Sequence, residues 1–537
     1  MTDRIRLNEG NRRWWTLAAM CFALFMIMLD NTVVNVALPS IQKDLGASLS
    51  SLEWTVNAYT LTFAVLLVTG GRLGDILGRR RMFLFGVVVF AVSSAAIGLA
   101  PDQGWLVAGR AIQGVGAAFM MPATLSIITV TFPAEERGKA IGTWAGVSAL
   151  ALAIGPVVGG ALTEYVSWRA IFFLNLPVAV GAVAVTLFAA HESRDESTRH
   201  SIDWPGIFTI SAGLTALVLA LIEGNSWGWG SPEIVALLAT AAVGLTAFAV
   251  IERRVQEPMV DFSLFRSQTF LGTNAIAFIV SFAMLAMFFF TALYMQNILG
   301  YSAIEAGVRF LPSTLMIVAI APLAGRLTDR IGPRPLLVSG LTLVTIALFL
   351  QTRIDLHTGY GLLLPAFVLM GIGMALTMSP MSTAAMNAVA PQKAGVASGI
   401  LSMSRMVGGT FGVAALGALF QHLATGELSD SLAGTGIGAA QQERLVNALG
   451  TASDGASLPP AAADAAHNAF IHALASGMWL SAGVAAVGVV FAITLIGGKP
   501  VRQPAMPEAA GVPAAEGSSP ASEPEAAAAA AEMAEAA

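Results

Sequence analysis

The chain has 537 residues, of which 56% are hydrophobic and 11% charged, and its formal net charge is −5. An average soluble domain carries about 25% charged residues, so this composition excludes a water-soluble protein of this size. The single cysteine, Cys21, excludes an intramolecular disulfide and a cysteine-built metal cluster, and the six histidines are scattered without ligand spacing. No metal, cofactor or nucleic-acid partner is expected.

Apolar runs of about twenty residues recur along the chain, the length that crosses ~30 Å of hydrocarbon as helix. In lipid only helices and closed barrels satisfy their own backbone, and these runs lack the alternation of barrel strands. Fourteen helices are expected, over residues 14–38, 52–71, 82–100, 105–130, 139–163, 168–190, 204–222, 234–252, 270–296, 303–325, 335–351, 360–384, 395–421 and 470–497. The first follows Arg12 and Arg13 and is too long for a cleaved signal peptide, so it is expected to remain as a span. With segment 1–13 in the cytosol, 21 of the 28 Lys and Arg residues fall on the cytosolic side and 4 on the outer side. The other three, Arg110, Arg309 and Arg405, lie inside spans. An odd number of spans would scramble this positive-inside bias. The chain therefore reads as a multi-pass protein of the cell membrane with both termini cytosolic. Segment 422–468 joins the last two spans outside, with a short helix expected near 438–450. The Ala/Glu/Pro/Ser-rich tail 503–537 reads as disordered.

An internal repeat organises the spans. Gly71-Arg72-Leu73-Gly74-Asp75-Ile76-Leu77-Gly78-Arg79-Arg80 closes the second, and Gly325-Arg326-Leu327-Thr328-Asp329-Arg330-Ile331-Gly332-Pro333-Arg334 closes the tenth. A protein of two related six-helix halves returns a motif six spans later. Here it returns eight later, so two extra helices, spans seven and eight, are expected between the halves. The domain reading follows: a six-helix bundle over 14–190, a cytosolic linker 191–203, the extra pair 204–252, and a second six-helix bundle over 270–497. In the motif, glycines permit close approach beneath neighbouring helices. Asp75 at a helix end suits a facing helix N-terminus or an arginine, and Arg79 to Arg81 suit lipid phosphates. Gly71, Asp75, Gly78, Arg79, Arg80 and Asp329 thus form a candidate conformational latch.

Within the spans, Asp30 lies about nine residues, or ~13 Å, inside the expected outer end of span one. An ionisable group at that depth normally faces a cavity or a partner, which makes it a candidate proton site. Asn31 or Asn35 would face a central cavity from the same helix, depending on its rotation, and Asn57 and Tyr59 are polar candidates on span two. Arg110, roughly five residues inside span four, is the candidate counter-ion of Asp30, and Gln113 shares its helix face. Pro156 bends span five, while Gly155 and Gly159 offer a small surface for close approach that suits a rocking interface between halves. Met370, Met374, Met378 and Met381 recur on one face of span twelve, and span nine offers Phe288, Phe289, Phe290 and Tyr294. Methionine and aromatic surfaces adapt to varied apolar ligands. Arg405 is the basic residue deep in the C-terminal half, and three partners suit it: a substrate carboxylate, a lipid headgroup or an acid elsewhere in the fold. Glu305 and Arg309 are spaced to pair with each other.

Taken together, these motifs resemble the major facilitator superfamily, and within it the fourteen-span drug:proton antiporters of the EmrB/QacA type. The Gly71–Arg80 loop resembles the superfamily signature between helices two and three. Leu29-Asp30-Asn31-Thr32-Val33-Val34-Asn35-Val36-Ala37-Leu38-Pro39 is similar to the first-helix signature of this branch. Arg110-Ala111-Ile112-Gln113-Gly114-Val115-Gly116 resembles the fourth-helix motif, and Gly155-Pro156-Val157-Val158-Gly159-Gly160 the antiporter motif of helix five. Trp168, Arg169, Phe172, Asn175 and Pro177 fit the start of helix six. The resemblance implies an all-α membrane fold of two six-helix bundles plus two extra helices, working by alternating access around a central cavity, and the half-repeat argues for a monomer. It implies small-molecule export in exchange for protons, with Arg110 associated with proton coupling.

Other classes fit less well. No His-Glu-x-x-His or Gly-x-x-x-x-Gly-Lys-Ser/Thr pattern is present, so neither zinc-dependent hydrolysis nor that route of ATP hydrolysis is expected. A channel needs oligomeric rings of polar groups, which the half-repeat argues against. Among transporters, the leading expectation is a multidrug exporter of amphipathic compounds, and the alternative an exporter of a specific lipid, siderophore or metabolite. A pump for strongly cationic cargo is expected to carry a second deep acid. Span thirteen carries Arg405 instead, which keeps neutral, zwitterionic and anionic cargo open.

Overall fold

Backbone groups in hydrocarbon have no water to bond, so a chain this apolar must close its hydrogen bonds within helices. A computed structural model describes residues 9–46, 49–196, 202–356, 358–431 and 460–497. The chain divides into a unit spanning Met1–Val501 and a second, Arg502–Ala537, that lies outside the described residues. The helix expected near 438–450 and the tail 503–537 also fall outside them. Among the described residues, 14 helices are long and apolar enough to cross a membrane. Spans one to six are Asn11–Leu45, Leu52–Leu77, Arg79–Gly98, Gln103–Thr131, Ala134–Tyr165 and Trp168–Ala189. Spans seven and eight are Trp204–Trp227 and Pro232–Glu252. Spans nine to fourteen are Gln268–Gln296, Leu311–Ile331, Pro333–Gln351, Tyr360–Asn387, Pro391–Leu428 and His467–Leu495.

The packing repeats with the period of the loop motif. In the first bundle span one packs on five, two on four and three on four; in the second, nine packs on thirteen, ten on twelve and eleven on twelve. Each contact recurs eight spans later, so the fold is two six-helix bundles with an inserted pair. Spans seven and eight pack on each other, and span seven touches spans two and thirteen, with Asn225 donating to the Ala414 carbonyl at 3.2 Å.

Several helices outrun the expected ends. Span one continues through Pro39 to Leu45. A proline removes a single ladder bond, and Val33, Val34, Ala37 and Ile41 bury into one cluster with Trp168 and Phe172, which carries the helix past it. Spans two and ten extend to Leu77 and Ile331, so most of each loop motif is helix. The chain breaks at one residue in each copy, Gly78 (φ 113°) and Gly332 (φ 86°), a left-handed region that favours glycine. Span six is broken at Leu174 into Trp168–Phe173 and Asn175–Ala189. The expected start of span ten is a separate helix, Ala303–Arg309. There the Glu305 side chain closes a capping box on Ser302, while Arg309 donates to the Glu305 carbonyl at 3.2 Å and its guanidinium lies 3.7 Å from the Tyr301 ring centre.

The halves meet along two seams, span two against thirteen and span five against ten. Glycines make both. A Cβ on Gly71 would lie 2.2 Å from the Gly395 carbonyl oxygen, and one on Gly325 would lie 2.0 Å from that of Gly138. These contacts belong to the end of the molecule that carries the Gly-Arg-Leu motifs. Gly71→Ala is therefore expected to force two backbones apart at a cost of about 1–3 kcal/mol. Gly74→Ala, with nothing within 4 Å of its added Cβ, is expected to melt like the native protein. Thermal unfolding of the purified variants decides, and equal melting of the two would refute the seam.

A second clamp joins the segment after span eight to the start of span thirteen, where Lys393 Nζ lies 2.5 Å from Asp261 Oδ2. Partial burial pushes the Asp261 carboxyl up, but bonds from Lys393 and Ser263 outweigh it and pull the group down to about 2. A depressed carboxyl contributes stability above its unfolded pKa and loses it as pH falls through the folded value. The gap in melting temperature between native protein and Asp261→Asn is expected to be full at pH 5 and to vanish toward pH 2.

Candidate functional site

Asp30 stands on the long first helix, 15 residues before Leu45 and 19 after Asn11, or ~22 Å and ~28 Å from its two ends. At that depth an unpaired carboxylate costs several kcal/mol, and the structure surrounds it with donors. Arg110 Nη1 donates to Asp30 Oδ2 at 2.5 Å. Gln113 Nε2 and Asn175 Nδ2 donate to Oδ1 at 3.0 and 3.2 Å. Both amides also donate to Ser94 Oγ, at 2.7 and 3.1 Å. Arg110 is held in turn by the Gln113 side-chain oxygen at 2.6 Å and the Thr55 carbonyl at 3.0 Å. Its guanidinium lies 4.2 Å from the centre of the Tyr59 ring. Asp30 and Arg110 are each 1% exposed.

Five helices build this site. The break at Leu174 puts Asn175 at the start of a new helix with its amide turned inward. Gly114 makes room beside Arg110, since a Cβ there would lie 2.5 Å from the Tyr59 carbonyl oxygen. Arg110 does not reach for the outer headgroups; its side chain is committed inward. Ser94 is the member that sequence reasoning missed, and its signal was a Ser93-Ser94 pair in an otherwise apolar span. Removing one partner of a buried pair costs about 3–5 kcal/mol, because the other charge stays buried. The arrangement can therefore hold an ionised carboxylate in an apolar bundle, and a proton on Asp30 would cancel the charge that organises it.

The two loop motifs form reciprocal contacts across the seams. Asp75 accepts from the backbone N–H groups of Gly395 and Val396, at the start of span thirteen, at 2.9 and 2.8 Å. Asp329 accepts from those of Gly138 and Lys139, at the start of span five, at 2.9 and 3.0 Å. Each half thus places a carboxylate on a helix N-terminus of the other, where the helix dipole favours negative charge. Arg79 corrects an expectation. It is 2% exposed and does not face lipid: it donates to Asp75 through Nε and Nη2 at 2.9 and 2.6 Å, and to the carbonyls of Pro391 and Gln392 at 2.7 Å. The backbone N–H of Arg80 and the side chain of Arg81 turn to Glu192. In the second copy Pro333 stands where the first has Arg79, so that candidate latch lacks its arginine.

The remaining candidates are dispersed. Asn31, Asn57 and Met378 are half-buried and Asn35 exposed; Asn31 and Asn35 donate to carbonyls of their own helix at 3.0 Å. Tyr294 does not line a cavity: it is fully buried and donates to the carbonyls of Asp355 and Thr358 at 3.0 and 2.6 Å, pinning a loop. Met374 is packed into the core. The glycine face of span five also differs from expectation. Gly155 and Gly159 lie against Thr32 and Val33, and Gly160 is 4.0 Å from Val36 as a Cβ would see it, so this face joins span one of the same half. Pro156 turns outward. The inter-half contact of span five is made a few turns away by Gly138 and Gly142. Arg405 donates to Ser382 Oγ at 2.5 Å.

The two latches are expected to differ in strength. Asp75→Asn presents an amide N–H₂ to donors and loses at least two charge-assisted bonds, at about 1.5–3 kcal/mol each. Asp329→Asn disturbs two backbone bonds with no arginine. Distances between spin labels across each seam, at the motif-bearing ends of spans two and thirteen in Asp75→Asn and of spans five and ten in Asp329→Asn, should widen more in the first variant than in the second. The reverse order would contradict the geometry.

Comparison with known proteins gives the same answer as the packing. Residues 20–413 match the Major Facilitator Superfamily. The tetracenomycin C resistance and export protein of Streptomyces glaucescens is 34% identical over 492 residues, covering 90% of this chain and 91% of that one. The puromycin resistance protein pur8 of Streptomyces alboniger is 40% identical over 426 residues, covering 78% and 84%. The multidrug resistance protein Stp of Mycobacterium tuberculosis is 38% identical over 405 residues, covering 75% of each. Among solved structures, the human organic anion transporter MFSD10 (TETRAN) superposes with a TM-score of 0.58 at 14% identity, covering 88% of this chain and 99% of that one, which speaks to the fold alone. With two bundles related by a repeat, fourteen spans and relatives matched over most of their length, the chain belongs to the major facilitator superfamily and is a membrane transporter of small molecules.

Proposed function

We propose that this protein is a monomeric exporter of the cell membrane that moves small amphipathic compounds out in exchange for protons, with Asp30 as the proton site. The observation that carries the reading is the sealed Asp30–Arg110 pair, whose remaining donors come from spans four and six. A proton on Asp30 removes the charge that Arg110 neutralises. The pair then loses its Coulomb attraction, and the charge-assisted bonds that tie span one to spans four and six weaken.

Orientation follows from the basic residues. With the arginine-rich end in the cytosol, the seams and the Asp75 and Asp329 contacts close the cytosolic side. Release of cargo outward, protonation of Asp30 and opening of the latches inward would complete a cycle. The names of the relatives, each a resistance or export protein, support export over uptake. The relative named for tetracenomycin C export matches over nearly its whole length, which favours a dedicated exporter of one compound as the second reading.

Reconstituted protein with a pH-sensitive dye inside the vesicles tests the coupling. Adding a transported drug to native vesicles is expected to move protons. In Asp30→Asn that movement should fall to the rate of empty vesicles, while drug-for-drug exchange without a gradient persists. Proton movement at the native rate in Asp30→Asn would end the proposal.

A further inference from the structure

The deep charges of the two halves are not alike. In the first half Asp30 and Arg110 neutralise each other at 2.5 Å. In the second, among the described residues, Arg405 has one side-chain partner, the Ser382 hydroxyl, and its buried Nε has no acceptor. Among the described residues, no carboxylate lies within 4.0 Å of its guanidinium. Of the three partners the sequence left open, an acid among the described residues is thereby removed. Depth removes the headgroup. Arg405 lies 14 residues from Pro391 and 23 from Leu428, or ~21 Å and ~34 Å along the helix.

A permanently charged guanidinium at that depth needs either an anion or water. Its bond to span twelve turns it into the bundle, and its half-buried state leaves part of it accessible. Ser382 is set to hold it there. Its hydroxyl donates to the Met378 carbonyl at 2.9 Å, leaving lone pairs for Arg405. Met378, one turn along and half-buried, adds an adaptable apolar surface beside the charge.

We propose that Arg405, oriented by Ser382, is an anion-recognition point for the cargo, and that the preferred substrates carry a carboxylate on an apolar scaffold. The open donors of the guanidinium suit a bidentate carboxylate, and the Met378 surface suits the scaffold. Since Asp30 and Arg110 cancel, Arg405 leaves the deep interior with one net positive charge, which selects against cationic cargo. The proposal rests on the exporter reading for the existence of a cargo, but not on the role of Asp30.

Equilibrium binding with no gradient, using pyrenebutyrate and its neutral methyl ester, separates the two. Native protein in nanodiscs is expected to bind the acid at least tenfold more tightly than the ester. Arg405→Met should bring the acid to the level of the ester and leave the ester unchanged, while Arg405→Lys, which keeps the charge, retains a severalfold preference. Ester binding equal to acid binding in native protein overturns the proposal, as does an unchanged preference in Arg405→Met. Should Arg405→Met lose both ligands by misfolding, Arg405→Lys decides: retained preference supports the proposal, and equal loss of acid and ester rejects it.

Discussion

A carboxylate in the middle of an apolar bundle must be met by donors, and much of this protein's first half is arranged to supply them. Asp30 receives an arginine from span four and amides from spans four and six, while spans two and three supply the Thr55 carbonyl and the Ser94 hydroxyl. These bonds tie five helices together at a depth where hydrophobic packing alone does not choose between alternative rotations. Lipid is as apolar as leucine, so polar contacts and close small-residue packing carry specificity that the hydrophobic effect supplies in water.

The seams obey a different rule. There the halves approach until glycine backbones touch, and each half offers a carboxylate to the other's helix N-terminus. Such contacts lie at the interfacial ends of helices, where water can replace them, so they can break and reform at modest cost. The deep network cannot be hydrated in the same way. In the proposed cycle the first device would open and close, and the second would take the proton. The extra pair of helices leans on the seam between spans two and thirteen through span seven, adding surface at one seam and not at the other.

The asymmetry between the halves is chemical more than architectural. Their packing pairs correspond helix for helix, yet Arg79 has no counterpart in the second motif, and among the described residues no Asp30-like acid accompanies Arg405. A repeated scaffold holds the geometry while the two halves diverge in charge, the first toward a closed ion pair and the second toward a cation with donors to spare.

The sequence by itself determined the number of spans, their membership in two related halves and the two helices between them. These depend on run length, on the cost of exposed backbone in lipid and on a motif returning eight spans later, all of which are local or periodic. It also singled out Asp30, Arg110 and Gln113, because charge and amide groups are conspicuous in apolar runs. It did not determine helix ends near Pro39 or in the Gly-Arg-Leu motifs, since burial against other helices overrides a local stop signal. Nor could it show that Gly155 and Gly159 serve span one while Gly138 and Gly142 serve the seam, because a glycine face names no neighbour. The inward burial of Arg79, the place of Ser94 beside Asp30 and the missing carboxylate at Arg405 were decided by tertiary structure alone. Each depends on which side chains meet across residues far apart in the chain, and at such meetings the desolvation of a charge is either met or left open.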